Sequence, residues 1–131
     1  MQKNEISIAL NALELLEKNS WEKISLSNIL SKQKKITIKN KTDILIIINR
    51  YFDYLLKENL SSIEVSSSKD MLFEVLMERL DILNNYRTSI KKIINYFLLQ
   101  PQVFIRVLPS FIESIILIMK LSKIKSNGIL A

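Results

Sequence analysis

The chain has 131 residues, 48% of them hydrophobic, and a formal net charge of +6. That length supports one real core and is too short for two independent globular domains. The sequence contains no Cys and no His, which excludes disulfides, thiol nucleophiles, imidazole bases and the usual zinc ligands, so neither a catalytic site nor a metal or other cofactor is expected.

In chain order, Met1 to Glu5 is polar and carries no apolar signal core. The only glycine is Gly128 and the only prolines are Pro101 and Pro109. With turn chemistry so scarce and apolar residues recurring at helical spacing, the fold class is all-α. A first helix is predicted over Asn4 to Lys18 with Ile6, Ala9, Leu10, Leu13 and Leu16 inward. Asn19 and Ser20 stop it, and Trp21 plugs the end of the unit. A short helix follows Ser25, whose hydroxyl caps it, and turns Leu26, Ile29 and Leu30 inward. Thr42 is predicted to cap a long helix to about Glu58. Its apolar positions, from Ile44 to Leu56, cover more than half the circumference, so it must pack on two sides. The serine-rich stretch from Asn59 to Ser68 reads as a linker and divides the chain into segments 1–58 and 59–131.

Beyond the linker, Ser67 and Asp70 have capping-box spacing and open a helix with Met71, Leu72, Val75, Leu76, Leu80 and Leu83 inside. Asn84 and Asn85 end it, and a helix over Arg87 to Leu99 uses Ile90, Ile93, Ile94, Phe97 and Leu98. Pro101 starts a short helix, and Pro109 either starts or kinks a last one over Ser110 to Ile124. The most apolar run, Phe111 to Leu121, is interrupted by Glu113 and Lys120 and falls short of the ~20 residues a membrane span needs. A buried helix, no membrane span and a cytoplasmic location are therefore expected, and the absence of Cys fits a reducing compartment.

Charge is the most uneven property of the chain. Six lysines (Lys23, Lys32, Lys34, Lys35, Lys39 and Lys41) fall between positions 23 and 41 with no acid among them, and elsewhere 13 basic residues balance 13 acidic ones. Such a segment suits a polyanion, because lysines on phosphates release condensed counterions. The usage of 15 Lys against 4 Arg throughout the chain is also what a base-composition bias produces.

The run from Ala9 to Leu30, ALNALELLEKNSWEKISLSNIL, followed by KNKTDILIIINRYF from Lys39 to Phe52, resembles the N-terminal domain of TetR-family transcriptional regulators. Asn19 to Trp21, Ser25, and Lys41 to Leu45 stand where that family has the end of its first helix, the start of its helix-turn-helix and the opening of its connecting helix. The stretch from Asp70 to Pro101 resembles the ligand-domain helices of one TetR branch common in alphaproteobacteria. The resemblance implies a TetR-like fold, in which a three-helix helix-turn-helix unit is joined by a long helix to a C-terminal bundle. It also implies double-stranded DNA as a partner, an apolar small-molecule effector and a homodimer. Candidate DNA-binding residues are Ser25, Lys32, Lys34, Lys35, Thr37, Lys39 and Lys41.

The departures from the family are specific. Lys34 or Lys35 stands where the family has a turn glycine, which avoids the cost of a left-handed backbone. Only Ile38, Lys39 and Asn40 lie between Thr37 and Lys41, so about six residues of a recognition helix that must present several side chains to base edges have no counterpart. The stretch from Lys125 to Ala131 resembles the loop that leads into two further family helices, so a fragment or a shortened relative is expected.

Met71, Phe73, Met77, Tyr96, Phe97, Phe104, Phe111 and Met119 recur at helical spacing, as core packing does and as the lining of an apolar cavity does. Met77, Phe97, Phe104, Phe111 and Met119 are the candidate ligand pocket. Glu78, Arg79, Arg87 and Arg106 read as a solvated face. Two functions fit these features: a TetR-type regulator responding to an apolar small molecule, and a lipid or isoprenoid carrier without DNA binding, of the ubiquinone-biosynthesis accessory type. For duplex binding through the lysine segment, replacing Lys34, Lys35 and Lys39 by Gln is expected to flatten the salt dependence of affinity by about three units of log–log slope. Fluorescence anisotropy across a salt series measures it, and an unchanged slope places the binding surface elsewhere.

Overall fold

With a single glycine and two prolines to interrupt it, the backbone settles into helices wherever apolar residues can be buried on one side. The computed structural model describes residues 1–30, 38, 40–60 and 68–127, with side chains for all of these except 68, 69 and 124–127. Every regular element among them is helical: α1 (Lys3–Lys18), a 3-10 turn (Trp21–Lys23), α2 (Leu26–Ile29), α3 (Thr42–Leu60), α4 (Ser68–Asn85), α5 (Arg87–Leu99) and α6 (Pro101–Asn127). The all-α expectation is met. Residues 61–67, with the Ser67 half of the capping box, and 128–131 lie outside the described residues.

The central element is α3, which packs against α1, α4 and α6. Ile44, Leu45, Ile47, Ile48, Tyr51, Phe52, Leu56 and Leu60 are buried around it, as its wide apolar surface requires. Its start differs from the sequence expectation. Thr42 belongs to the helix and its amide donates to Asn40 Oδ1 at 3.0 Å, so Asn40 is the cap. Asn satisfies an orphan amide at a helix start as well as Thr does.

The first helix buries Ile8, Ala9, Ala12, Leu13 and Leu16. Leu10, expected inside, is exposed, because the buried stripe runs through Ile8, Ala9 and Ala12 instead. Ser25 caps α2 as expected, its Oγ accepting from the Asn28 amide at 3.2 Å. The Trp21 side chain is buried, with its ring centroid 6.4 Å from that of Tyr96 on α5. The buried Ser89 hydroxyl donates to the Leu13 carbonyl at 2.7 Å and fastens α5 to α1.

In α4 the inward face is Met71, Val75, Arg79 and Ile82, while Leu72, Leu76 and Leu80, expected inside, are exposed. A charged residue occupies one turn of the inner stripe, and the leucines flank it on the outside. Ile94 and Leu98 of α5 are likewise exposed. The two helices expected around Pro109 are one, of 27 residues, with Pro109 inside it. Its span of about 40 Å follows from 1.5 Å per residue. Within Pro101–Lys123 an 18-residue stretch reaches a mean hydropathy of 1.7 with only 22% of its residues buried, so α6 is neither short nor a buried core helix. It is long and apolar enough to cross a membrane by length and composition. The 11-residue run that suggested otherwise was only its most apolar part.

Truncating Leu56, which is 0% exposed, to Ala is expected to cost about 3 kcal/mol. The same change at Leu98, 74% exposed, is expected to stay within about 0.5 kcal/mol. Denaturant unfolding of the two variants checks the pair.

Candidate functional site

Asn49 and Asp53 lie one turn apart on α3 and therefore point the same way. Ser110 and Ser114 do the same on α6, and Arg79 reaches in from α4. Arg79 Nη1 lies 2.5 Å from Asp53 Oδ1, and Nη2 donates to Asn49 Oδ1 at 2.8 Å. Since a guanidinium can only donate, this bond fixes which end of the Asn49 amide is oxygen. The amide nitrogen, Nδ2, then donates toward Ser114 Oγ at 2.8 Å, Ser110 Oγ at 3.0 Å and the Ser110 carbonyl at 3.2 Å. Ser114 Oγ has one proton and two acceptors within reach, Asp53 Oδ2 at 2.9 Å and the Ser110 carbonyl at 3.2 Å. The carboxylate is the stronger acceptor. The bonds close into a ring through Asn49, Ser114, Asp53 and Arg79 that joins three helices.

The Arg79 and Asp53 side chains are 11% and 17% exposed, so the pair is largely desolvated. Each ion depends on the other and on its neutral hydrogen-bond partners to offset lost hydration. Arg79 also sits 5.8 Å from the centre of the Phe52 ring. Beside Phe52, the Tyr51 hydroxyl is 3.4 Å from that of Tyr86, and burial first, then this partner, push the Tyr51 phenol well above its ordinary value.

A cavity of about 250 Å³ opens beside this ring. Leu45, Ile48 and Phe52 of α3 and Leu83 of α4 form one side of it, and Ile90, Ile93, Ile94 and Phe97 of α5 with Phe111 of α6 form the other. Asn49 and Arg79 are the only polar side chains among its described lining. Phe97, Phe104 and Phe111 pack as a triad with centroids 5.4, 6.2 and 5.9 Å apart. Of the five candidate pocket residues, Phe97 and Phe111 line the cavity, and Phe104 touches both from behind. Met77 and Met119 lie on the outer faces of α4 and α6, exposed and away from it.

Arg79 had read as part of a solvated face. Arg87, which donates to Asn84 Oδ1 at 2.8 Å, and Arg106 are exposed as that reading expects, whereas Arg79 is turned inward. The sequence did carry a signal for the ring. Asn49 interrupts an apolar run, and Ser110 and Ser114 sit at i, i+4 within an apolar helix, a spacing that brings polar groups to one place.

In the basic segment, the Ser25 hydroxyl is occupied by its capping bond and by Ser27 Oγ at 3.1 Å. Lys41 donates through Nζ to the Trp21 carbonyl, and that nitrogen lies 4.6 Å above the Trp21 ring. Desolvation lowers its pKa, and Glu22 partly opposes this. Lys32, Lys34, Lys35, Thr37 and Lys39 lie outside the described residues. No group of three or more His, Cys, Asp or Glu side chains among the described residues is arranged to hold a metal ion. Compared with protein-family models, with curated proteins and with solved structures, the chain matches none.

Because Lys41 is lowered from 10.5, the folded chain releases that proton at a lower pH than the unfolded chain. Between the two values the unfolded state binds more protons, so stability rises with pH there. The stability difference between wild type and Lys41→Met is expected to grow in favour of wild type as pH climbs toward 10.5. With its ammonium held by Trp21, Lys41→Met is also expected to leave the salt slope of duplex binding unchanged. Denaturant melts at several pH values and anisotropy titrations test both statements.

Proposed function

We propose that the chain is a DNA-binding transcriptional regulator of the TetR type, acting as a homodimer and responding to an apolar small molecule held in the cavity. The observation that carries this reading is the double role of α3. Its first turn follows directly on the lysine-rich segment, and its first three turns supply Leu45, Ile48, Asn49 and Phe52 to the cavity wall. One continuous helix thus connects a sequence segment suited to phosphates with a cavity suited to a ligand. A ligand that fits one position of α3 better than another shifts the population of basic-segment positions by its difference in affinity. Homodimerisation is supported by the outward arc of α6, where Ile105, Leu108, Ile112, Ile115 and Met119 recur at spacings of three and four and are all exposed. The lysines supply phosphate contacts, which give affinity with little sequence information.

The second reading, a lipid or isoprenoid carrier on the same fold without DNA binding, is favoured by the same α6. Its exposed apolar length is compatible with a bilayer. Selection of bound duplexes from a random pool, together with lipid extraction of the purified protein, separates the two. The regulator reading expects an enriched palindromic motif. With so few residues between Thr37 and Lys41, that motif is expected to be bound less than about 10³-fold more tightly than random duplex at equal salt. No enrichment, with a lipid co-purifying, puts the carrier first.

A further inference from the structure

The cavity wall offers hydrogen-bond donors and a balanced charge, and the two together restrict what can occupy it. Arg79 carries five N–H groups. Its bonds to Asp53 and Asn49 use Nη1 and Nη2 once each, which leaves further N–H groups on a side chain that lines the cavity. Asn49, the other polar lining residue, already gives its nitrogen to Ser110 and Ser114 and its oxygen to Arg79. One lone pair of the Asn49 oxygen remains against three N–H groups of Arg79, so what the wall mainly asks of a ligand is an acceptor.

The acceptor is further defined by charge. Asp53 neutralises Arg79 at 2.5 Å before any ligand enters. A carboxylate would bring an uncompensated negative charge into an otherwise apolar chamber, whereas the oxygen of a ketone or ester brings no charge to desolvate. Size follows from volume. An apolar protein cavity of about 150 Å³ accommodates benzene, so the 250 Å³ here leaves room for roughly ten non-hydrogen atoms.

We propose that the cavity binds an uncharged, largely apolar carbonyl compound of about ten non-hydrogen atoms, a ketone or an ester. Its oxygen accepts from Arg79 and its body lies among Ile48, Phe52, Ile93 and Phe97. This rests on the reading of the bundle as a ligand site and does not depend on the bound ligand altering DNA affinity.

Calorimetric titration of the full chain with three probes of similar shape tests it: propiophenone, phenylacetate and propylbenzene. Propiophenone is expected to bind about tenfold or more tightly than either of the others, since a hydrogen bond to a charged donor contributes about that factor. Arg79→Met should bring propiophenone and propylbenzene to equal affinity. Asp53→Asn, which leaves the guanidinium uncompensated, should reverse the order in favour of phenylacetate. Should either variant fail to fold, the three wild-type affinities decide alone. Equal or tighter binding of phenylacetate by wild type overturns the proposal, and so does binding of no probe. Repeating the duplex titration with each probe separates this from the regulator reading. A bound ketone that leaves duplex affinity unchanged counts against regulation and leaves the ligand class standing. Preference for phenylacetate together with a change in duplex affinity does the reverse.

Discussion

The ion pair between Arg79 and Asp53, with the Asn49 amide and the Ser114 hydroxyl that complete its hydrogen bonds, is the constraint on which the bundle's arrangement depends. Apolar contacts alone allow α3, α4 and α6 to slide or rotate against one another at small cost, because leucine and isoleucine faces are interchangeable in kind. A ring of directional bonds is not so tolerant. Each member has its partners in only one register, and a displaced Arg79 or Asp53 becomes an uncompensated buried charge. The apolar core supplies the drive to collapse, and the ring selects which collapsed arrangement is kept.

That choice has consequences at both ends of the molecule. Turning Arg79 inward puts Leu72, Leu76 and Leu80 on the outside of α4, and seating Ser110 and Ser114 on α3 turns Ile105, Ile112, Ile115 and Ile116 of α6 outward. The exposed apolar surface is thus the complement of the polar interior, since each helix has spent part of its inner face on hydrogen bonds. At the other end, α3 is held by α1 on one side and by the ring on another, so its first turn, beside the lysine segment, is positioned by the same bonds that shape the cavity. Trp21 and Lys41 close that end, the indole accepting the ammonium face-on while the carbonyl of the same residue takes its proton donor. The lysine next to α3 therefore acts on the protein itself.

Helix number and placement were largely legible in the sequence because they depend on local properties: the scarcity of glycine and proline, the serine cap at Ser25, and asparagines closing α1 and α4. The extent of α5 was readable to the residue for the same reason. What escaped was orientation. Periodicity averages over all apolar residues, so α4 with leucines on two faces read as a leucine-lined helix, and its true inner stripe contains an arginine. Pro109 read as the start or the kink of a helix because it cannot donate to the carbonyl one turn before it, and α6, packed against α3 and α4, runs through the position. The cavity was half visible, in Phe97 and Phe111. Its polar wall and the ring behind it were not, because Asn49 with Asp53, Arg79, and Ser110 with Ser114 come from three separate stretches and are unremarkable one at a time. Only the i, i+4 spacing of the serines, and an asparagine within an apolar run, hinted at them.

The most direct test of the ring is a double-mutant cycle on Asp53 and Arg79, using Asp53→Asn and Arg79→Met with unfolding followed by denaturant. If the pair fixes the bundle as described, each single change costs about 3 kcal/mol or more, the double change costs clearly less than the sum, and the coupling energy is at least about 2 kcal/mol. Additive effects, with a coupling below about 0.5 kcal/mol, would mean that the pair is incidental and that apolar packing alone sets the register of α3, α4 and α6.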